Sequence, residues 1–132
     1  MRQRVILLLS LACALALPKG VSAAAVAGGY SHTVVIRTSD GTVWSWGANS
    51  NGQLGDRSNT QRKTPVQTST LTGIVAVAAG ANHTLALKAD GTVRAWGDDQ
   101  YGQIGDGTSG EDANRNAPAQ VRGLSGNKGC RS

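Results

Sequence analysis

Apolar and polar residues alternate along this chain in short runs, and the runs come in the same order twice. Ala25–Ala27, Thr33–Arg37 and Val43–Trp46 are followed by Val75–Ala79, Thr84–Lys88 and Val93–Trp96. Leu85 and Leu87 alternate with Thr84, Ala86 and Lys88, the period of two that a half-buried strand requires. Asp40-Gly41 and Asp90-Gly91 each separate two runs, where a tight hairpin needs residues that tolerate positive φ. Each set closes on a proline-led run, Pro65–Gln67 and Pro118–Val121; proline cannot donate to a ladder, so these belong on an edge or at a strand start. No amphipathic helical period of useful length interrupts the pattern. The expectation is an all-β chain of two units, each with four short antiparallel strands.

The two units match residue by residue. His-Thr recurs at 32–33 and 83–84, Asp-Gly-Thr-Val at 40–43 and 90–93, and Trp-Gly at 46–47 and 96–97. Gly-Gln-aliphatic-Gly-Asp recurs at 52–56 and 102–106. The period is 50 residues between Trp46 and Trp96, and 51 between His32 and His83 because the first copy carries one extra residue before its Asp-Gly. A unit of this size cannot bury a core alone, and such a period marks a solenoid or a propeller. Four hairpin-linked strands per unit describe a propeller blade.

The order His-Thr, aliphatic pair, Asp-Gly-Thr-Val, Trp-Gly, Gly-Gln-Leu-Gly-Asp resembles the repeat of the regulator of chromosome condensation (RCC1) family. Kelch repeats have a similar period and a Gly-Gly pair like Gly28-Gly29, but do not explain Trp-Gly followed by Gly-Gln-Leu-Gly. The resemblance covers about Ala24 to Gly126 and implies a β-propeller, usually seven-bladed. Here two blades are expected, at residues 24–73 and 74–126, before an out-of-phase tail at 127–132. Two explanations fit the shortfall: a fragment of a longer propeller, which we prefer, or self-association that completes a ring. Blades left alone would carry uncovered faces and edges.

The beginning of the chain changes the picture of its charge. Arg2 and Arg4 precede an apolar run from Val5 to Leu17, and Val21-Ser22-Ala23 places small residues before a cleavage point. This reads as a secretory signal peptide over residues 1–23, since the apolar run is too short for the roughly 30 Å core of a bilayer. Ser10 stands where a lipoprotein signal ending at Cys13 would want leucine. Removing Arg2, Arg4 and Lys19 lowers the net charge from +5 to +2. The basic balance therefore argues no nucleic-acid partner, and no membrane association is expected after cleavage. Cys130 would remain as the one cysteine, so no internal disulfide forms. The expected location is secreted, periplasmic or cell-envelope.

Repeated residues read as scaffold, unmatched ones as candidate contacts. His32 and His83 titrate near neutrality and ligate metals, yet each recurs before Thr with no second ligand beside it, which points to a structural role. Trp46 and Trp96 are read as packing between blades. Gly47, Gly52 and Gly55, with Gly97, Gly102 and Gly105, are read as blade geometry. Asp40 and Asp90 read as turn residues. Asp56 and Asp106 occur one per blade and so form no acid–base pair. Asp98, Asp99 and Asp106 lack the spacing of an EF-hand. Asn82-His83-Thr84 is a glycosylation sequon built from repeat residues. No catalytic residue, metal or cofactor is expected.

Four aromatic or basic residues break the repeat. Trp44 shares a strand face with Trp46 but stands where the second unit has Arg94, and Trp and Arg are both favoured interface anchors. Tyr30 stands opposite Ala81, and Tyr101 opposite Asn51. Tyr30, Trp44, Arg94 and Tyr101 are the candidate partner contacts. The variable loops also differ in sign, with Arg57, Arg62 and Lys63 in one and Asp98, Asp99, Asp106, Glu111 and Asp112 in the other. The expected function is an exported, non-catalytic protein-interaction module with a protein partner outside the cytoplasm. The resemblance also brings precedents of nucleotide exchange with chromatin binding, and of a secreted β-lactamase inhibitor. A cell-surface adhesive role is the remaining alternative.

Overall fold

The computed structural model describes residues 25–124. The expected signal peptide at 1–23, the tail at 127–132 with Cys130, and Gly126 at the end of the second unit lie outside the described residues. Eight strands are present: β1 (Val26–Gly28), β2 (His32–Arg37), β3 (Thr42–Gly47), β4 (Arg62–Gln67), β5 (Ile74–Ala79), β6 (His83–Lys88), β7 (Val93–Gly97) and β8 (Arg115–Gln120). They form two four-stranded antiparallel sheets, each in sequence order, β1-β2-β3-β4 and β5-β6-β7-β8. We call these blade 1 and blade 2.

Local chemistry sets the hairpins. Asp40 accepts hydrogen bonds from Thr42 N at 3.1 Å and Thr42 Oγ1 at 2.7 Å, and Asp90 does the same with Thr92 at 2.9 and 2.6 Å. Only Gly41 and Gly91 take positive φ in these turns, so the aspartates act through their side chains and the glycines through their backbone. At the other end of β3, Gly47 has φ +111°, and a Cβ there would lie 2.4 Å from Ser31 O. Gly97 repeats this with φ +110° and 2.4 Å to Asn82 O. The pairing of β3 with β4 shifts between Ser45 and Gly47, and that of β7 with β8 between Ala95 and Gly97. The tryptophan between each pair is thereby excluded from the outer ladder.

The outer strands begin earlier than the prolines suggest. Pro65 and Pro118 are the fourth of six residues in β4 and β8, which open at Arg62 and Arg115. Both strands are sheet edges, where a missing N–H costs no ladder bond. Among the described residues there is one 3-10 turn, Glu111–Ala113, and it has no counterpart in blade 1. Among the described residues, two that are not glycine have left-handed backbones, Arg57 at φ 67° and Thr70 at φ 55°. Each stands where the other unit has glycine, Gly107 at φ 95° and Gly123 at φ 80°. The backbone shape is thus the same in both blades whether or not glycine is there to ease it.

A single sheet has nowhere to bury a side chain except against its neighbour, so the core lies between the blades. From blade 1 it takes Val34, Ile36 and Val43; from the connection and blade 2 it takes Leu71, Ile74, Val77, Ala86 and Trp96. The pairings Thr33↔Trp46 and Val35↔Trp44 place those residues on the opposite face of blade 1, which no described element covers. Thr84↔Trp96 and Ala86↔Arg94 are the same positions in blade 2, and there the face is turned to blade 1. Trp96 is therefore 0 % exposed while Trp46 is half-buried. Leu85 and Leu87 lie on the outward face of blade 2, also half-buried.

This asymmetry is measurable. Replacing Trp96 by Ala should cost about 3–5 kcal/mol, the range for truncating a fully buried large aromatic. Trp46→Ala should cost less, about 2 kcal/mol or below, because part of that side chain already meets water. Urea denaturation of the two variants checks the difference, and equal losses would show that the tryptophans occupy equivalent environments.

Candidate functional site

The chain order of the strands puts four connections at one end of the sheets: β1–β2, β3–β4, β5–β6 and β7–β8. Cross-blade backbone bonds tie that end together, from Tyr30 N to Ala81 O at 3.0 Å and from Arg57 N to Asn116 O at 2.7 Å. Tyr30 and Tyr101 both stand on this rim, 85 % and 83 % exposed. Trp44 lies towards the opposite end. Its indole N–H donates to Thr42 Oγ1 at 3.0 Å, and the Arg37 guanidinium sits 5.1 Å from its ring centroid. Arg37 is held there by a 2.6 Å bond to Asp40, which it and Thr42 keep well below the usual carboxylate range. Arg94 is half-buried on the face turned to blade 1, with Nε out of solvent and unpartnered among the described residues. The structure thus separates the four candidate contacts: the tyrosines share the rim, and Trp44 and Arg94 occupy strand faces.

Buried polar groups hold the rim loops from beneath. In blade 1, Asn49 Oδ1 accepts from Leu54 N at 3.0 Å, and its Nδ2 donates to the carbonyls of Ser58 and Thr60. Asp56 takes Ser58 Oγ at 2.7 Å and Arg62 Nε at 2.9 Å. Burial pushes the Asp56 carboxyl up, but bonds from Ser58, Arg62 and Asn49 outweigh it and leave it below its ordinary value. Asp106 repeats the arrangement, with Arg115 Nε at 2.6 Å. Burial again opposes the bonds from Thr108 and Arg115, and again the net direction is down. Gln103 Oε1 accepts from Tyr101 N at 2.8 Å, so the exposed phenol is carried on a fixed backbone. Arg62 and Arg115 went unnoticed as loop clamps in the sequence. The signal was there: each stands three residues before the unit's proline.

Where the blades meet, one backbone carbonyl gathers the polar groups. Gln53 O accepts from Trp96 Nε1 and from Thr84 Oγ1, both at 2.9 Å. His32 Nε2 lies 2.9 Å from the same Thr84 hydroxyl. That hydroxyl has a single proton and gives it to the carbonyl, so the His32 N–H must sit on Nε2, leaving Nδ1 bare. Nδ1 is buried with no partner among the described residues, which suits a neutral ring and not an imidazolium. Burial, and then the charge of His83, push the His32 pKa below its ordinary 6.5. His32 is used as a strut between sheets. His83, its counterpart, lies on the outward face of blade 2 and makes no side-chain hydrogen bond to a described residue.

Among the described residues, no three of His, Cys, Asp or Glu come together as a metal site. Asp98 bonds Gln103 Nε2 at 3.1 Å and Asp99 bonds Ile104 N at 2.9 Å, so these carboxylates serve the loop. Nor is any described helix long and apolar enough to cross a membrane.

Two family models, both described as regulator of chromosome condensation (RCC1) repeat, match the chain. One matches residues 40–87 and 90–131, the other residues 23–53 and 74–103. The chain is 43% identical over 63 residues to the Ultraviolet-B receptor UVR8 of Arabidopsis thaliana, covering 46% of this chain and 14% of that protein. It is 44% identical over 59 residues to the Protein RCC2 homolog of Danio rerio, covering 43% and 12%. Among solved structures it resembles a chain in the crystal structure of Kap60 bound to yeast RCC1 (Prp20), with TM-score 0.61 and 29% identity over 72% of this chain and 22% of that one. Human WBSCR16 gives 0.62 and 27% over 73% and 24%. Prp20p of Saccharomyces cerevisiae, described with its binding properties to Gsp1p and histones, gives 0.65 and 22% over 81% and 27%. The chain thus spans about a quarter or less of each of these proteins.

Two outcomes follow from the geometry between the blades. An unfolded chain takes up a proton on His32 near pH 6.5, whereas the folded chain does so only lower. Stability is therefore unaffected by this group above about pH 7 and falls as the pH drops through 6.5 towards the folded value. His32→Gln should flatten that part of a stability-against-pH curve, and an unchanged slope would remove His32 as its source. Gly55 and Gly105 share positive φ, but a Cβ on Gly55 would meet Trp96 Nε1 at 2.7 Å while one on Gly105 meets only Val121 at 3.1 Å. Gly55→Ala should thus cost about 1–3 kcal/mol more than Gly105→Ala in urea denaturation.

Proposed function

The chain belongs to the RCC1 repeat family, and on that footing we propose that it is an exported, non-catalytic protein-interaction module. It offers its rim to a folded protein outside the cytoplasm. The observation that carries this reading is the pair Tyr30 and Tyr101, both unmatched in the repeat, both more than four-fifths exposed, and both on one rim. Exposed aromatics on a pre-set backbone lose little entropy on binding, which makes them effective anchors. Protein partners named for yeast RCC1 and Prp20p support the general class of function. Those particular partners are not carried to this chain, since 22% identity to Prp20p concerns the fold.

The non-catalytic part is supported by how the titratable groups are spent. His32 braces the blades, Asp40 and Asp90 cap hairpins, and Asp56 and Asp106 clamp loops. Export is supported by the charged, apolar and small-residue sequence of residues 1–23, and on this reading the functional chain begins at Ala24. Units at 24–73 and 74–126 belong to a larger propeller, completed by further blades or by another copy of the chain.

The test couples location to the tyrosines. The native chain, isolated from envelope and medium, should begin at Ala24 by N-terminal sequencing; retention of Met1 in a cytoplasmic pool would overturn export. The full chain should capture a protein from the same fractions in stoichiometric amount. Tyr30→Ala with Tyr101→Ala should lower that capture about tenfold or more while the fold is kept, as expected for two anchors. Capture unchanged by the double variant would overturn the rim as the binding surface.

A further inference from the structure

Four polar groups used between the blades have exact repeat counterparts that stand idle. His32 Nε2, Thr84 Oγ1, Trp96 Nε1 and the Gln53 carbonyl form one network. Their counterparts are His83, Thr33, Trp46 and the Gln103 carbonyl, and none of these groups makes its hydrogen bond with a described residue. The idle groups are divided between two surfaces. His83 and Gln103 belong to the outward side of blade 2, beside Leu85 and Leu87. Thr33 and Trp46 belong to the outward face of blade 1, beside Val35 and the 65 %-exposed Val26. One surface repeats the side of blade 1 that receives blade 2, and the other repeats the side of blade 2 that is received.

Shape agrees with this division. On blade 1, a Cβ at Gly52 would strike Arg115 O and Asn116 Cα at 2.7 Å, because blade 2 is seated there. The equivalent Gly102 meets nothing closer than 3.7 Å. An open cleft of about 510 Å³ on blade 2 is bordered by Val121, the counterpart of the Thr68 that lies with Trp96 against Gly55. Charge agrees as well. Across the internal junction the blade-1 loop bonds β8 at Asn116, whose counterpart in β4 is the exposed Lys63. The corresponding loop of blade 2 carries the exposed Glu111 and Asp112.

We propose that a second copy of this chain docks on the first head to tail, the outward side of blade 2 receiving the outward face of blade 1 in the register of the internal junction. His83 Nε2 donates to Thr33 Oγ1 of the next copy, and that hydroxyl and the Trp46 indole N–H of the next copy donate to the Gln103 carbonyl. Such a contact is heterologous, so it forms a ring where the rotation closes. With two blades from each copy, the six- and eight-bladed rings within the propeller range of about four to eight blades take three or four chains, which is the ring we expect. This deepens the self-association in the proposed function, and it uses surfaces other than the tyrosine rim.

Sedimentation and native mass spectrometry of the purified full chain test it, with Trp46→Glu and Leu85→Glu as variants. The unaltered chain should show three or four chain masses. Each variant alone should be a monomer, since each lacks one of the two surfaces. Mixed one to one, they should give a dimer and nothing larger, because a single intact junction remains. An unaltered chain that stays monomeric, or a mixture that does, overturns the proposal and assigns the faces to another occupant. A variant that still assembles alone overturns it in favour of a two-fold contact or association through residues 1–24. Should Trp46→Glu fail to fold by circular dichroism, Thr33→Arg on the same face carries the same test. Loss of assembly with capture through Tyr30 and Tyr101 intact would leave the rim reading standing, and the reverse result would leave the junction standing.

Discussion

The carbonyl of Gln53 takes two hydrogen bonds from the neighbouring sheet, and nearly every other feature of the fold serves to place that oxygen. A backbone carbonyl has two lone pairs, and in this buried seam both are used, which offsets the cost of taking the group out of water. Thr84 and Trp96 supply the donors, and His32 completes the chain by donating to Thr84. The glycines on either side, Gly52 and Gly55, let the loop approach blade 2 closely enough for the contact. Sheets that could otherwise slide over an apolar surface are thereby given one position. The apolar core provides most of the attraction, and this network decides where it acts.

Above the seam, the same economy shapes the rim. Asp56 and Asp106 are each buried and each ionised against that burial by a hydroxyl and an arginine. Because the arginines belong to the outer strands β4 and β8, a loop tied to them moves only if an edge strand moves. Surface residues can then differ between the blades on top, as Tyr101 differs from Asn51, without disturbing the geometry beneath. The blade-1 loop also pairs Ser45 and Thr68 on the carbonyl of Leu54, where blade 2 has Ala95 and Val121. Two polar residues are exchanged together for two apolar ones, so no donor is left stranded.

Much of this was legible in the chain itself, and the limits have physical causes. The strands came through to within a residue or so at β2, β3, β6 and β7, because hairpins flanked by Asp-Gly and Trp-Gly fix both ends. Of the two places open to the prolines, an edge or a strand start, the structure has the edge, and β4 and β8 open three residues before the proline-led runs because an edge strand tolerates proline in its middle. Repetition alone marks a residue as equivalent in sequence, not in environment. Trp46 and Trp96 read identically, yet one is covered and the other is not, since cover depends on which side a neighbour lies. For the same reason Leu85 and Leu87, the more apolar set in β6, face away from blade 1 while Thr84 and Ala86 face it. The Gln53 acceptor could not be read at all, being backbone.

The strict sequence order of the strands also gives the molecule a history during synthesis. Blade 1 is complete once β4 has left the ribosome, and none of its ladders waits for later residues. Its inner face is different: Val34, Ile36 and the Gln53 carbonyl stay uncovered until β5, β6 and β7 have followed. At about 5–20 residues per second that interval lasts seconds, far longer than a hairpin needs to close. The nascent chain therefore displays a finished but unsatisfied surface, one that suits a chaperone or a neighbouring nascent copy as well as its own next blade.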